Sequence, residues 1–168
     1  MNTHFLKLNP DKTEIICFFP DNINYNHTIR GTFLDGDCIR FSNTIKNLGF
    51  NLDRFLKMDQ HVNSIVSHSY KLLGDVARNR RILSDKDTES LVHAIVISRL
   101  DYCNSLFYGV NKSVINKLQK LQTAAARLIS KCRKRQWVRD VLYTLHWIPV
   151  EKIIIFKILG LAPENLSN

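Results

Sequence analysis

The chain has 168 residues, a net charge of +9 and a 45% hydrophobic fraction, enough for one globular domain or two small ones. Cys17, Cys38, Cys103 and Cys132 include no Cys-x-x-Cys pair, which argues against a disulfide scaffold and for free thiols in a reducing compartment. There is no signal-peptide start and no run near the ~20 apolar residues that span a bilayer, so a soluble intracellular protein is expected, nuclear or cytoplasmic and not secreted.

The N-terminal third reads as β. Thr13 to Phe19 is a short apolar run stopped by Pro20, consistent with a buried strand. Residues 21–27 are polar and Asn-rich, a loop. Thr28 to Leu34 is a weak strand, and Leu34-Asp35-Gly36-Asp37 has the chemistry of a turn leading into its partner, Cys38 to Phe41. Ile45 to Leu52 is a further strand. The expected architecture is α+β, a small antiparallel sheet over residues 1–56 followed by a helical bundle over 57–168.

After Asp53 the apolar period changes. Val62, Ile65, Val66, Ser69, Leu72, Leu73 and Val76 recur at spacings of three and four, one face of a helix from about Asp59 to Arg80. Asp59 suits its N-cap, and Gly74 within it costs about 1 kcal/mol relative to Ala, which close helix packing would offset. Ser84-Asp85-Lys86-Asp87 resembles a capping box with Asp in the last place. Leu91 to Ile97 is apolar all round and reads as a buried helix. A further helix runs from about Ser113 to Lys131, with Val114, Leu118, Leu121, Ala125 and Leu128 as its apolar stripe. Shorter helices follow at about Gln136 to Leu145 and Val150 to Leu159.

The charge is localised. Between Tyr102 and Arg139 there is no Asp or Glu, but nine bases: Lys112, Lys117, Lys120, Arg127, Lys131, Arg133, Lys134, Arg135 and Arg139. Of 24 basic residues this leaves 15 elsewhere, against 15 acidic ones, so the whole excess lies in this segment. At 100° per residue, Lys117, Lys120, Arg127 and Lys131 share an arc of roughly 80°, with Ala124 inside it. Such a ridge attracts polyanions, nucleic acid first; a solvated surface is the plainer alternative. Neutralising four to five phosphates would give a log–log salt slope of roughly −4 without sequence readout. Trp137, Tyr102 and Tyr108 are candidates for stacking on bases, or for packing.

Catalytic signatures are missing. There is no Gly-x-Ser-x-Gly, no His-Glu-x-x-His, no glycine-rich phosphate loop and no adjacent Asp-Asp pair. Asp35 with Asp37 and Asp85 with Asp87 suit turns and caps better than metals. His61 and His68, seven apart, share a helix face without a third ligand at metal spacing, and read as surface or packing residues. Cys103 has no basic partner that sequence can place beside it. No catalytic residue, metal site or cofactor is assigned.

Ser98 to Gly109 (SRLDYCNSLFYG), Leu118 to Ile129 (LQKLQTAAARLI) and Leu145 to Val150 (LHWIPV) together resemble the region after the catalytic palm in reverse transcriptases of non-LTR (LINE-type, Jockey-like) retrotransposons. Leu8 to Glu14 (LNPDKTE) and Lys46 to Asp53 (KNLGFNLD) look like the last two palm motifs of that family. The resemblance implies an end of palm over 1–56, a thumb-like bundle over 57–168, and Met1 to Asn9 as the tail of a helix. It also implies a truncated RNA-directed DNA polymerase without the metal-binding aspartates, inactive alone, with RNA, DNA or an RNA–DNA hybrid as partner; Mg would serve only an intact parent enzyme. Lys12 takes the motif position near the incoming nucleotide's phosphates, with a solvent-facing strand start as the alternative. Gly49 takes the primer-grip position, with a bulge glycine as the alternative.

The resemblance departs in places. Asp140 stands where the family has Pro, and Ile153 where it has Arg. Gly160 to Leu166 looks like a later segment brought forward. These departures suggest a decayed or repurposed copy, whose N-terminal strands would expose edges and self-associate. The alternatives in another class are a helical module whose basic face meets an acidic protein, and a mobile-element remnant without function.

Overall fold

Two antiparallel hairpins of two strands each precede a set of helices, an α+β arrangement. This computed structural model describes residues 9, 12–18, 31–34, 36–132 and 138–161. The chain forms two compact units, residues 1–57 and 58–168.

In the first unit, β1 (Gly31–Leu34) pairs with β2 (Asp37–Arg40), with Gly31 opposite Arg40. Gly31 is required by close approach, since a Cβ there would sit 2.4 Å from the Ile39 carbonyl oxygen. The next strands, β3 (Thr44–Asn47) and β4 (Phe50–Asp53), correct the expectation of one strand over Ile45 to Leu52. Leu48 (φ 48°) and Gly49 (φ 87°) both adopt positive φ, the signature of a two-residue hairpin turn. Gly49 is therefore a turn-tip residue and not a bulge, and a Cβ added there would meet nothing within 4 Å.

The strand read at Thr13 to Phe19 forms no ladder over its described residues; Ile15 makes one parallel bridge to Phe41, and its carbonyl accepts from Ser42 N–H at 2.8 Å. Among the described residues no strand runs alongside it. Lys12 lies in a 3₁₀ turn, exposed, and not at a strand start. Ile39 and Phe50 are the buried apolar side chains described in this unit, whereas Phe33 and Leu48 are 76% and 85% exposed.

Helix α1 (Asp59–Arg78) opens differently from the expectation. The Asp53 carboxylate accepts from the Phe55 and Lys57 backbone N–H groups, both at 3.1 Å. Met58, in the left-handed region, then takes the N-cap position without a side-chain cap. Asp59 is the first helical residue, where its charge suits the helix dipole. Val62, Ser69, Leu73 and Val76 are buried on the apolar face.

Helix α2 (Asp85–Val92) begins with half of the expected capping box: Ser84 Oγ accepts from Asp87 N–H at 3.1 Å, while the Asp87 carboxylate takes the Ser84 hydroxyl, at 2.6 Å, and not its backbone N–H. It continues through a π turn (His93–Ile97) into α3 (Ser98–Asp101). Val92, Val96 and Leu100 are buried, but Leu91, His93 and Ala94 are exposed, so Leu91 to Ile97 is half-buried and not enclosed all round. A 3₁₀ turn (Asn104–Phe107) leads to α4 (Lys112–Ser130), capped by the Asn111 side chain, which accepts from Ser113 N–H. Then come α5 (Val138–Thr144) and α6 (Val150–Leu161).

Helix α4 is the centre of the second unit, contacting α1, α2, the π turn, α5 and α6. Its Val114, Leu118, Leu121 and Ala125 are completely buried. Asp59 and Asn63 meet Lys117 near the starts of α1 and α4, and Asp85, just beyond α1, meets Lys131 beyond the end of α4. The two helices therefore run side by side in the same direction.

Gly74 does not serve close helix packing, because a Cβ there would meet only the Arg78 guanidinium, at 3.9 Å. Gly74→Ala should then stabilise the protein by about 1 kcal/mol, seen as a higher urea midpoint with unchanged slope. His61 is buried and stacks on Phe107 (centroids 6.0 Å apart), a packing role, while His68 is exposed. Burial lowers the His61 pKa below its ordinary value of 6.5. The unfolded chain therefore takes up this proton first as pH falls, so the stability is complete above pH 6.5 and declines below it. Urea unfolding at pH 5 and 7 should show this loss, and His61→Asn should flatten it.

Candidate nucleic-acid interface

The outer side of α4 carries the ridge, and the structure sorts its bases into groups. Lys120 is exposed and Arg127 half-buried, and both line an open trough of about 580 Å³ on α4. Ala124 and Thr123 lie between them along the helix, Asn116 and Gln119 line the same trough, and Tyr70 enters from α1. Tyr70 is 42% exposed, and partial burial raises its hydroxyl pKa above the ordinary value, so the phenol stays neutral. The helical repeat separates Lys120 from Arg127 by about 10 Å along the axis.

Lys117 and Lys131 flank this trough and hold protein carboxylates. Lys117 Nζ lies 3.2 Å from Asp59 Oδ1 and donates to Asn63 Oδ1 at 2.9 Å. Lys131 Nζ lies 2.8 Å from Asp85 Oδ1. The Arg80 guanidinium and the Lys131 ammonium beside Asp85 hold its carboxyl down at about 2. The ridge thus exists as an arc, but two of its four cations enter it already neighboured by acid.

Of the other predicted bases, the two that are described, Lys112 and Arg139, do not line the trough. Lys112 opens α4 and lines a separate slot of about 250 Å³ with Glu151. Arg139 lines another cleft on α5, of about 390 Å³, with Tyr143 and Trp147. Arg133, Lys134, Arg135 and Trp137 lie outside the described residues. Tyr102 and Tyr108 are 46% and 67% exposed, so neither is a core residue, and neither lines the trough. Lys12 and Gly49 belong to the first unit. Among the described residues no group of three or more His, Cys, Asp or Glu could hold a metal ion, and no helix is long and apolar enough to cross a membrane.

Sequence reading missed what holds the back of the ridge. Gln122 is 1% exposed, on the buried side of α4. Its Nε2 donates to the Ile148 carbonyl at 2.9 Å, and its Oε1 accepts from Gln119 Nε2 at 2.8 Å. Gln119 Oε1 in turn accepts from Val150 N–H, at 2.9 Å, the first residue of α6. Two amides therefore tie the Leu118–Ile129 string to the Leu145–Val150 string. The signal was a glutamine within an apolar stripe, since a buried amide needs partners. Similarly, Asp101 accepts from Asn104 Nδ2 at 3.2 Å and pairs with Lys157 at 3.3 Å, joining the Ser98–Gly109 string to α6. Gln122→Ala removes two hydrogen bonds and leaves a hole on the buried side of α4, so a loss of about 2 kcal/mol is expected in urea unfolding; a loss under 0.5 kcal/mol, about a quarter of that, would mean that the relay is not intact in solution.

No protein-family model matches the chain, and no solved structure matches it. Over 142 residues it is 28% identical to the RNA-directed DNA polymerase from mobile element jockey of Drosophila melanogaster. The match takes in 81% of this chain but 15% of that protein, so the chain spans under a sixth of the length of this curated relative. The similarity supports a relation to reverse transcriptases of LINE-type retrotransposons.

Proposed function

We propose that this chain is a reverse-transcriptase-derived segment, palm end and thumb-like bundle, that grips the backbone of a nucleic acid along α4, in a holding role and not a bond-forming one. The observation that carries this reading is the placement of Lys120 and Arg127 on one solvent-facing trough, within a stretch free of Asp and Glu. Lys117 and Lys131 extend the same arc. Their ion pairs are exposed to solvent, which makes them weak, so a phosphate can displace the carboxylate at small cost. Contacts of this kind position a strand without reading its sequence. Polymerisation would need two metal ions held by carboxylates, and the sequence supplies no Asp-Asp pair for them.

One observation favours a second reading: Lys117 and Lys131 already hold carboxylates, as they would on an acidic protein surface. A salt titration on a fluorescent RNA–DNA hybrid separates the two. Affinity should fall with a log–log slope of roughly −4, and reversal of Lys120 and Arg127 to Glu should flatten it by about two units. Absence of binding at low salt to the hybrid and to its separate single strands alike would overturn the nucleic-acid reading.

A further inference from the structure

The trough joins two kinds of group that a simple cationic ridge does not need together. Its cations are Lys120 and Arg127, and its single aromatic is Tyr70, brought from α1 to lie beside them. Ala124 between the cations leaves the floor low, and Asn116 and Thr123 supply polar edges. The Thr123 hydroxyl donates to the Gln119 carbonyl at 2.8 Å, which leaves its oxygen able to accept. The volume, about 580 Å³, lies within the ~300–1,000 Å³ range of small-ligand sites.

A paired duplex presents phosphates but hides its base faces within the stack. An unpaired nucleotide presents both a phosphate and a π-face. Charge with an adjacent partly exposed aromatic is the combination that single strands use.

We propose that the trough seats one unpaired nucleotide of a single strand, its base against the Tyr70 ring and its flanking phosphates at Lys120 and Arg127. This rests on the nucleic-acid reading above and narrows its substrate to unpaired strands at this point. RNA and DNA share the base and the phosphate, and differ in the 2′-hydroxyl, for which Asn116 and Thr123 are the available polar groups. Lys120 and Arg127 also serve a duplex, whereas Tyr70 serves only the unpaired base.

The test measures fluorescence anisotropy of the whole chain with a 12-nucleotide single-stranded RNA, the same sequence as DNA, and their hybrid. Tyr70→Ala should weaken single-strand binding about tenfold and change hybrid binding by less than twofold. Tyr70→Phe should restore the single-strand affinity, since stacking does not need the hydroxyl. Ala124→Met, which raises the floor with charge unchanged, should also weaken single strands selectively and does not depend on how Tyr70→Ala folds. A larger loss for single-stranded DNA than RNA on Ala124→Met would place the base at the floor in both and the 2′-hydroxyl contact in RNA alone. Equal losses on hybrid and single strand, or no loss on single strands with either variant, would overturn the proposal while leaving backbone binding standing. If the unaltered chain binds neither form, both readings fall.

Discussion

The second unit depends on how α4 is held from behind. Its apolar stripe, Val114, Leu118, Leu121 and Ala125, sets which side of α4 turns inward, but apolar contacts are non-directional and leave small rotations about the helix axis cheap. The two glutamines remove that freedom. Gln122 donates to the Ile148 carbonyl, Gln119 accepts from the Val150 N–H, and one bond, from Gln119 Nε2 to Gln122 Oε1, joins the two amides. Hydrogen bonds need direction where apolar contacts do not. A small rotation of α4 would break these bonds and leave the buried Gln122 amide without partners, so the relay fixes the helix's setting more sharply than the apolar stripe does.

That rotation decides the electrostatics. With Gln122 inward, Lys120 and Arg127 look onto the trough, and Lys117 and Lys131 fall at its two flanks against Asp59 and Asp85. The ion pairs also bridge α4 to the beginnings of α1 and α2. They are exposed enough to be weak, which makes them poor staples but exchangeable neighbours for an incoming anion.

Much of the helical organisation was legible because the apolar period is strong. The faces of α1 and α4 and the cap at Ser84 follow from spacing and local hydrogen-bond chemistry. The apolar pattern alone hid the turn at Leu48–Gly49, because Leu is a poor carrier of positive φ and the run looked continuous, whereas the likeness of Leu48 to Asp53 to a primer-grip hairpin pointed to it. Asp59 looked like a cap because sequence could not show that Asp53 had already turned the chain. The partners of Lys117 and Lys131 lie 58 and 46 residues away in sequence, and Tyr70 joins the trough only through the side-by-side run of α1 and α4. Local patterns carry no information about such pairings.

The π turn at His93–Ile97 has a consequence for the rest of the helix that contains it. A π turn takes in one more residue than an α turn and so resets the phase of everything downstream. It lets Val92, Val96 and Leu100, each four apart, all stay on the inner side. Meanwhile His93 turns its edge to Trp147, with centroids 5.5 Å apart. A chain shortened by one residue there would gain a smoother cylinder and lose its compass: Asp101 would swing about 100° around the axis, away from Asn104 and Lys157 together.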